Sequence, residues 1–239
     1  MLSKTQGIVL HSFKYSENSL ITSIYTRNHG RISCLIQGVH TKKSKFKPAF
    51  FQPLTIVEIE LQYLQNKDLQ SLKDIAITQP LHSLHSNPYK NAIVLFLGEI
   101  LYRSLRDGEH GEQLFNYMSH SIELLDTLTV DFSNFHLFFA AHLTKYLGFF
   151  PENLYSEMTP FFNAKTAAFE FGRSVHSIDR NASKLLSDIL ISDFSTIGMV
   201  ELNKQSRAIL LQTIVDFYML HLPGIKEIKS LDVLKMVFG

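Results

Sequence analysis

The chain has a single cysteine, Cys34, which excludes an intrachain disulfide and any zinc site built on cysteines. Its longest apolar runs, such as "AIVLFLG", fall far short of the roughly 20 residues that cross a bilayer. The opening "MLSKTQGIVL" lacks the apolar stretch of a secretory signal, so a cytoplasmic protein with no membrane partner is expected. Also absent are the G-x-x-x-x-G-K-[ST] phosphate loop, the G-x-G-x-x-G fingerprint and the G-x-S-x-G elbow. Neither nucleotide hydrolysis nor a bound cofactor is expected, and no clustered acids suggest a metal-dependent nuclease. The chain should not be an enzyme. One further absence is local. From Gly38 to Pro53, "GVHTKKSKFKPAFFQP" contains no acidic residue, while Lys42, Lys43, Lys45 and Lys47 crowd together with Phe46, Phe50 and Phe51 beside them.

What remains is a globular composition: 239 residues, 45% hydrophobic and 19% charged, enough to bury a real core. The formal net charge of +1 hides a division. Residues 1–80 carry ten Lys/Arg against five Asp/Glu, and residues 81–239 carry thirteen against seventeen. A basic front and a mildly acidic back point to a polyanionic partner for the front alone, unless the lysines only keep a small domain soluble.

The first eighty residues read as five short strands. "GIVLHSF" and "SLITSIYT" are β-branched and apolar, and "RNHG" is a turn in which Gly30 can take positive φ. Ile32, Cys34 and Ile36 alternate with Arg31, Ser33 and Gln37; Val57, Ile59, Leu61 and Tyr63 alternate around Glu58 and Glu60. "LQSLKDIAI" supplies a fifth strand after the turn "NKD". Five strands with the longest connection between the third and fourth fit an OB-type barrel, and the lysine-rich segment is that connection.

Near Thr78–Pro88 the period becomes helical. Asn87 and Pro88 suit the start of a helix. Phe115, Met118, Ile122 and Leu125 share one helical face, and Phe132, Phe135, Phe139, Leu143 and Tyr146 share another, ended by Gly148. After an irregular stretch at about 149–180 come helical patterns in "NASKLLSDILIS", "KQSRAILLQTIVDFYMLHL" and "SLDVLKMVF". The expected architecture is α+β and mainly α, with a barrel domain at 1–80 and a helical domain at 81–239.

Candidate chemistry is sparse. His82 and His85 have helical metal-ligand spacing but no carboxylate to complete a site. His136 and His142 read as packed residues of an aromatic helix, and Cys34 as a buried thiol. The lysine segment is the exception, since lysines neutralise phosphates and a neighbouring aromatic ring can stack on an unpaired base. Phe46, between Lys45 and Lys47, is the expected stacker; Phe50 and Phe51 are expected to cover the barrel end. Lys14, Arg27 and Arg31 would extend the charged track.

These segments together resemble the bacterial RecO family of recombination mediators. The opening "GIVLHSFKYSENSLITSIYTRNHGRISCLIQGV", with Tyr15, Glu17, Thr26, Gly30 and Gly38, is similar to the family's first three strands. "KKSKFKPAFFQPLTIVEI" is similar to its basic segment and fourth strand, and "LGFFPENL" to its L-G-x-x-P element. The end resembles the family's terminal pattern at Arg207, Tyr218, His221 and Lys229-Ser230-Leu231. Many members carry two Cys-x-x-Cys pairs after the L-G-x-x-P element; here "YSEMTPFFNAKTAAFEFGRSVHSID" has none. Phe161, Phe162, Phe169 and Phe171 would hold that segment by apolar packing instead. The resemblance implies an OB domain followed by a helical domain, binding of single- and double-stranded DNA, and annealing of complementary strands. It also implies action with RecR to help RecA, indirectly, onto DNA coated by the single-stranded-DNA-binding protein, whose C-terminal tail would dock on the helical domain. Arg103, Arg106 and Arg207 are candidates for meeting such a tail as basic groups on apolar helices, and each also reads as a solvated side chain. Nucleoid association follows from the same resemblance. An OB-fold RNA-binding or translation-associated protein would use the same loop on another polymer, so that alternative stays open at this level.

Overall fold

A computed structural model describes residues 2–39, 44–108 and 111–238. The chain divides into two compact units, 1–127 and 128–239.

The first unit opens with a closed barrel of β1 (Leu2–Ser16), β2 (Ser19–Thr26), β3 (Gly30–Gln37), β4 (Ile56–Gln62) and β5 (Leu69–Ile77). The strand order is β1-β2-β3-β5-β4. β3 and β5 run parallel, Ser33 opposite Leu69 and Leu35 opposite Ser71, and β1 closes the barrel by pairing Leu2 with Gln62 through to Ile8 with Ile56. This is the expected OB-type barrel. Its first strand is longer than "GIVLHSF" because it serves two partners, β4 with its first half and β2 with its second. Register shifts between Val9 and His11, and between Lys14 and Ser16, let one strand bend from one neighbour to the other.

The alternation written in the sequence sorts the side chains as expected. Ile24, Ile32, Cys34, Ile36, Val57, Ile59 and Leu61 point inward and are almost wholly buried, each worth about 1.5–3 kcal/mol for the larger aliphatics. Gly30 takes φ 64° in the turn between β2 and β3. Gly7 is required for a different reason, since a Cβ there would lie 2.6 Å from Cγ2 of Ile24.

Two helices complete this unit, α1 (Pro88–Ser104) and α2 (Glu112–Thr127). The Asn87 side chain accepts hydrogen bonds from the backbone N–H groups of Tyr89 and Lys90, with Pro88 opening the helix as expected; such a cap is worth about 1 kcal/mol. α1 crosses β1 where Gly98 leaves room, because a Cβ there would sit 2.9 Å from the Leu10 carbonyl oxygen. Phe115, Met118, Ile122 and Leu125 of α2 are all buried. The connector before α1 is clasped by the end of α2. One carboxylate, that of Asp126, accepts the backbone N–H groups of His82, Ser83 and Leu84 at 2.7–3.0 Å. The ammonium of the buried Lys90 donates to the Ser83 hydroxyl and to the Asp126 carbonyl. Burial pushes the Asp126 carboxyl up, but these backbone hydrogen bonds and the Ser83 hydroxyl outweigh it and hold it below the usual range.

The second unit packs α3 (Phe135–Leu147), the two-stranded sheet β6 (Phe161–Asn163) and β7 (Ala168–Glu170), α4 (Arg180–Ile191), α5 (Lys204–His221) and α6 (Ser230–Phe238). α3 begins three residues later than the aromatic spacing suggests. Phe132 lies in a 3-10 turn before it, and Tyr146 at its far end is 39% exposed, so only Phe135, Phe139 and Leu143 of the expected face are buried. Gly148 ends α3 at φ 81°. The stretch expected to be irregular contains the β6–β7 hairpin, whose cross-strand pair Phe162–Phe169 is buried with ring centroids 5.2 Å apart. Phe171 departs from expectation. It follows the last residue of β7 and stands 81% exposed, while Phe161 is half-buried with the Arg180 guanidinium 5.9 Å from its ring.

Candidate nucleic-acid interface

The eight residues expected to meet nucleic acid do not form one track. Lys42 and Lys43 lie outside the described residues. Four of the others gather at one barrel end. β2 begins and β3 ends there, Ser19 facing Gln37, and the backbone N–H groups of Gly38 and Val39 both donate to the Asn18 carbonyl as the long connection departs. Lys14 stands exposed on β1 beside this turn, and Lys47 is exposed just before the 3-10 turn Pro48–Phe51. Lys45 reaches back to β5, donating to the Lys73 carbonyl and lying 3.4 Å from Asp74 Oδ1. That exposed pair contributes little to stability.

Phe46 is half-buried. It packs against the barrel core with Phe50, and its ring lies 6.5 Å from that of Phe51. Phe51, 3% exposed, plugs the barrel end, and its carbonyl accepts the Ser12 hydroxyl at 2.9 Å. Phe50 and Phe51 thus hold the covering positions expected of them, and Phe46 shares in the cover while its ring remains 5.3 Å from Lys45 Nζ. The return of the connection is pinned by Leu54, which takes φ 61° and is fully buried. Its N–H donates to the Val9 carbonyl at 2.7 Å. A left-handed leucine costs about 1–2 kcal/mol, which burial of its side chain offsets.

Arg27 and Arg31 flank the opposite end, where Thr26 faces Gly30. Along the eight residues of β2, at about 3.3 Å per residue, that is roughly 23 Å away. Both guanidinium groups are engaged within their own unit. Arg27 donates to Gln6 and Asn116, lies 3.4 Å from Glu112 and sits 4.4 Å over the Phe115 ring. Arg31 pairs with Asp107 at 2.6 Å, donates to the Tyr102 carbonyl and lies 5.3 Å from the Tyr102 ring. These arginines fasten the barrel to α1, α2 and the segment after α1. A cleft of about 380 Å³ opens beside Arg31, lined also by His29, Tyr63 and Lys67, but Asp68 and Asp107 cancel its cations.

The remaining candidates resolve into structure. Cys34 is buried, and desolvation pushes its thiol up to about 12, far from the thiolate a nucleophile requires. His136 is fully buried and pushed down to about 3, by desolvation first and by the Arg207 charge second. Arg207 is not a solvated side chain. It donates to Asn134 Oδ1 and to the carbonyls of Leu202 and Phe238, all inside the second unit. Arg103 pairs with Glu99 at 2.7 Å. Among the described residues no cluster of three or more His, Cys, Asp or Glu is placed to hold a metal, and none of their helices is long and apolar enough to cross a membrane.

Sequence reasoning passed over one feature of this surface. His11, Phe13 and Tyr15 all stand exposed along the second half of β1. The signal was in "HSFKYS", where rings alternate with small or charged residues, but it runs on past the apolar stretch that marks the strand.

Comparison with known proteins agrees along the whole chain. Residues 1–81 match the family described as Recombination protein O N terminal, and residues 85–232 match Recombination protein O C terminal. A DNA repair protein RecO of Bacteroides fragilis is 38% identical over 241 residues, with both chains covered in full. Proteins of the same name from Phocaeicola vulgatus and Flavobacterium johnsoniae are 36% and 35% identical, again over all of both chains.

Proposed function

Because the chain belongs to the RecO family of DNA repair proteins, we propose that it is a recombination mediator that binds single- and double-stranded DNA and anneals complementary strands. The observation that carries this reading is the barrel end at Lys14, Lys45 and Lys47. Exposed cations cluster there around a connection that has no acidic residue from Gly38 to Pro53. Lysines that meet phosphates release counterions and supply affinity without regard to sequence. Lys42 and Lys43 belong to the same stretch and add to it. Arg27 and Arg31 contribute background potential, since their donors are already in use. Phe46 is half-buried in the barrel cover with Lys45 5.3 Å from its ring, so its part in binding is the smaller one.

Annealing needs no covalent chemistry. Two polyanions must be brought together against their repulsion, and base pairing then supplies the driving force. A barrel with a cationic end suits that task, and no step in it consumes a nucleotide. We assign the chain no catalytic role. Its proposed partners are RecR and the C-terminal tail of the single-stranded-DNA-binding protein, and through them RecA. By the family resemblance the tail is assigned to the helical part of the chain that follows the barrel, and we place the protein with the nucleoid.

The test is annealing of complementary oligonucleotides coated with their cognate single-strand-binding protein. Pairing should accelerate when the full chain is added, with no requirement for ATP. A strict ATP requirement, or co-purification with ribosomal factors in place of RecR and the single-stranded-DNA-binding protein, would overturn the reading.

A further inference from the structure

The exposed lysines at the barrel end hang from a backbone that is tied down from Ser44 onward. The Ser44 hydroxyl accepts the Phe46 N–H and donates to the Phe46 carbonyl, both at 3.1 Å, closing a small turn around Lys45. The Lys47 carbonyl accepts the Phe50 N–H at 3.0 Å, and Phe51 beyond it plugs the barrel. Val9 then grips the return twice. Its N–H donates to the Thr55 carbonyl at 3.0 Å, and its carbonyl accepts the Leu54 N–H at 2.7 Å. Leu54 sits between plug and strand in the left-handed region, a conformation that persists only where its surroundings over-determine it.

One side chain completes the grip. The Ser12 hydroxyl lies 2.9 Å from the Phe51 carbonyl oxygen and 2.8 Å from Thr22 Oγ1. A carbonyl can only accept, so the single Ser12 proton goes to Phe51, and Thr22 donates to Ser12 in turn. Thr22 is fully buried, so a chain of hydroxyls runs from the barrel wall to the backbone of the plug. Ser12 reaches this place because of a bulge. Val9 pairs with the inward-facing Ile24 and Ser12 with Thr22, three steps along β1 against two along β2. The extra residue turns Ser12 to the face that Val9 occupies. Regular alternation would have pointed it outward.

We propose that Ser12 is a positioning residue: its bond to the Phe51 carbonyl holds the lysine connection in its binding arrangement before a strand arrives. The inference rests on the nucleic-acid reading above and extends it to a residue that acts through the lysines, not on a phosphate. A connection free to leave the barrel end must be ordered as phosphates bind, and only the fraction already in place binds at full strength. The Asn18 carbonyl and Val9 hold the two ends of the connection. Ser12 holds Phe51, one turn beyond Lys47, and so sets where that turn and the lysines before it lie.

The experiment places Ser12→Ala and Ser12→Thr in the full chain, and Ser12→Ala also in a chain whose Lys42, Lys43, Lys45 and Lys47 are alanine. Melting curves verify folding, and titrations with oligothymidylate run well below the transition. Single-strand affinity should fall about 2- to 10-fold in Ser12→Ala, the scale of one net hydrogen bond. The salt slope should stay unchanged, because the same lysines still meet the strand. Ser12→Thr keeps the hydroxyl and should bind within about twofold of the natural chain. In the lysine-free chain at low salt, Ser12→Ala should change affinity by less than about twofold, since nothing remains to position. Amide exchange in the free protein should quicken at Phe50 and Leu54 in Ser12→Ala and stay as it was along β2 and β3. A lower melting temperature with unchanged affinity would make the bond merely structural and overturn the proposal. So would an equal loss in the lysine-free chain, which would put Ser12 on the strand itself, or exchange that quickens throughout the barrel. A natural chain that bound neither single strands nor duplex would instead overturn the reading on which the proposal rests.

Discussion

The two ends of the barrel carry the same sign of charge and use it oppositely. At the end where Ser19 faces Gln37, Lys14 and Lys47 stand in solvent and Lys45 has only exposed company. At the end where Thr26 faces Gly30, Arg27 and Arg31 spend their planar forks on Gln6, Asn116, Asp107 and a backbone carbonyl, and lie over aromatic rings. The chemistry of the two side chains fits the division, because a guanidinium fastens several acceptors at once whereas an ammonium is a mobile point charge. A count of cations over residues 1–80 cannot tell them apart. Availability depends on where the partners lie, and apart from Gln6 those partners sit beyond residue 80, on α1, on α2 and in the segment between them.

The largest effect should come from the lysine end. Replacing Lys42, Lys43, Lys45 and Lys47 with alanine should flatten the log–log salt dependence of single-strand binding by roughly 3, at about 0.7 per contact, and lower affinity by roughly two to three powers of ten near 0.1 M salt. Titrations at several salt concentrations measure both, and an unchanged slope would mean that this end merely keeps the barrel soluble. Melting temperature should hardly move.

Next in size is Arg31→Ala, which should do the reverse. It leaves Asp107 and the Tyr102 carbonyl without their cation and should cost about 1–3 kcal/mol in denaturant unfolding, with the salt slope intact. Arg31→Lys should recover little, since one ammonium cannot meet both acceptors and the ring together. Loss of binding without loss of stability would break the comparison, because it would return Arg31 to the phosphate track.

Phe46→Ala tests the boundary. Its half-buried ring belongs to the barrel cover, so about 1–2 kcal/mol of stability should go with it. A selective fall in single-strand affinity at constant melting temperature would move it among the binding groups. The smallest and most direct contrast sets Lys14→Ala against Arg27→Ala. The first should take about 0.7 off the salt slope, and the second should leave the slope alone while lowering stability by about 1 kcal/mol.

The barrel was legible in the sequence because its two tightest constraints are local. Alternation at Ile32, Cys34, Ile36 and at Val57, Ile59, Leu61 places the inward face, and Gly30 marks the turn. The caps Asn87 and Gly148 were legible for the same reason. Phe132 and Tyr146 misled because a helical period says which residues share a face but not where the helix begins. The hairpin at β6 and β7, three residues to a strand, is too short to show a period at all. In the candidate interface, the lysine cluster was plain, but the engagement of Arg27 and Arg31 depends on Asn116 and Asp107, partners some eighty residues away in the chain. The Ser12 bond needed the approach of Phe51 to β1, which no single segment contains.

The Asp126 clasp bears on how the protein can be cut. By composition the connector near Thr78–Pro88 looks like a place for a protease or for a designed truncation. Yet three consecutive N–H groups are held there by one carboxylate, with Lys90 buried beneath, and a segment so held cannot open into a protease cleft without losing the clasp. A fragment ending at residue 80 would also strip the partners from Arg27 and Arg31 and bare Tyr25 and Leu10, each 1% exposed in the whole chain. The smallest piece that keeps these groups satisfied runs through Thr127, so excised barrels should be made with both of their helices attached.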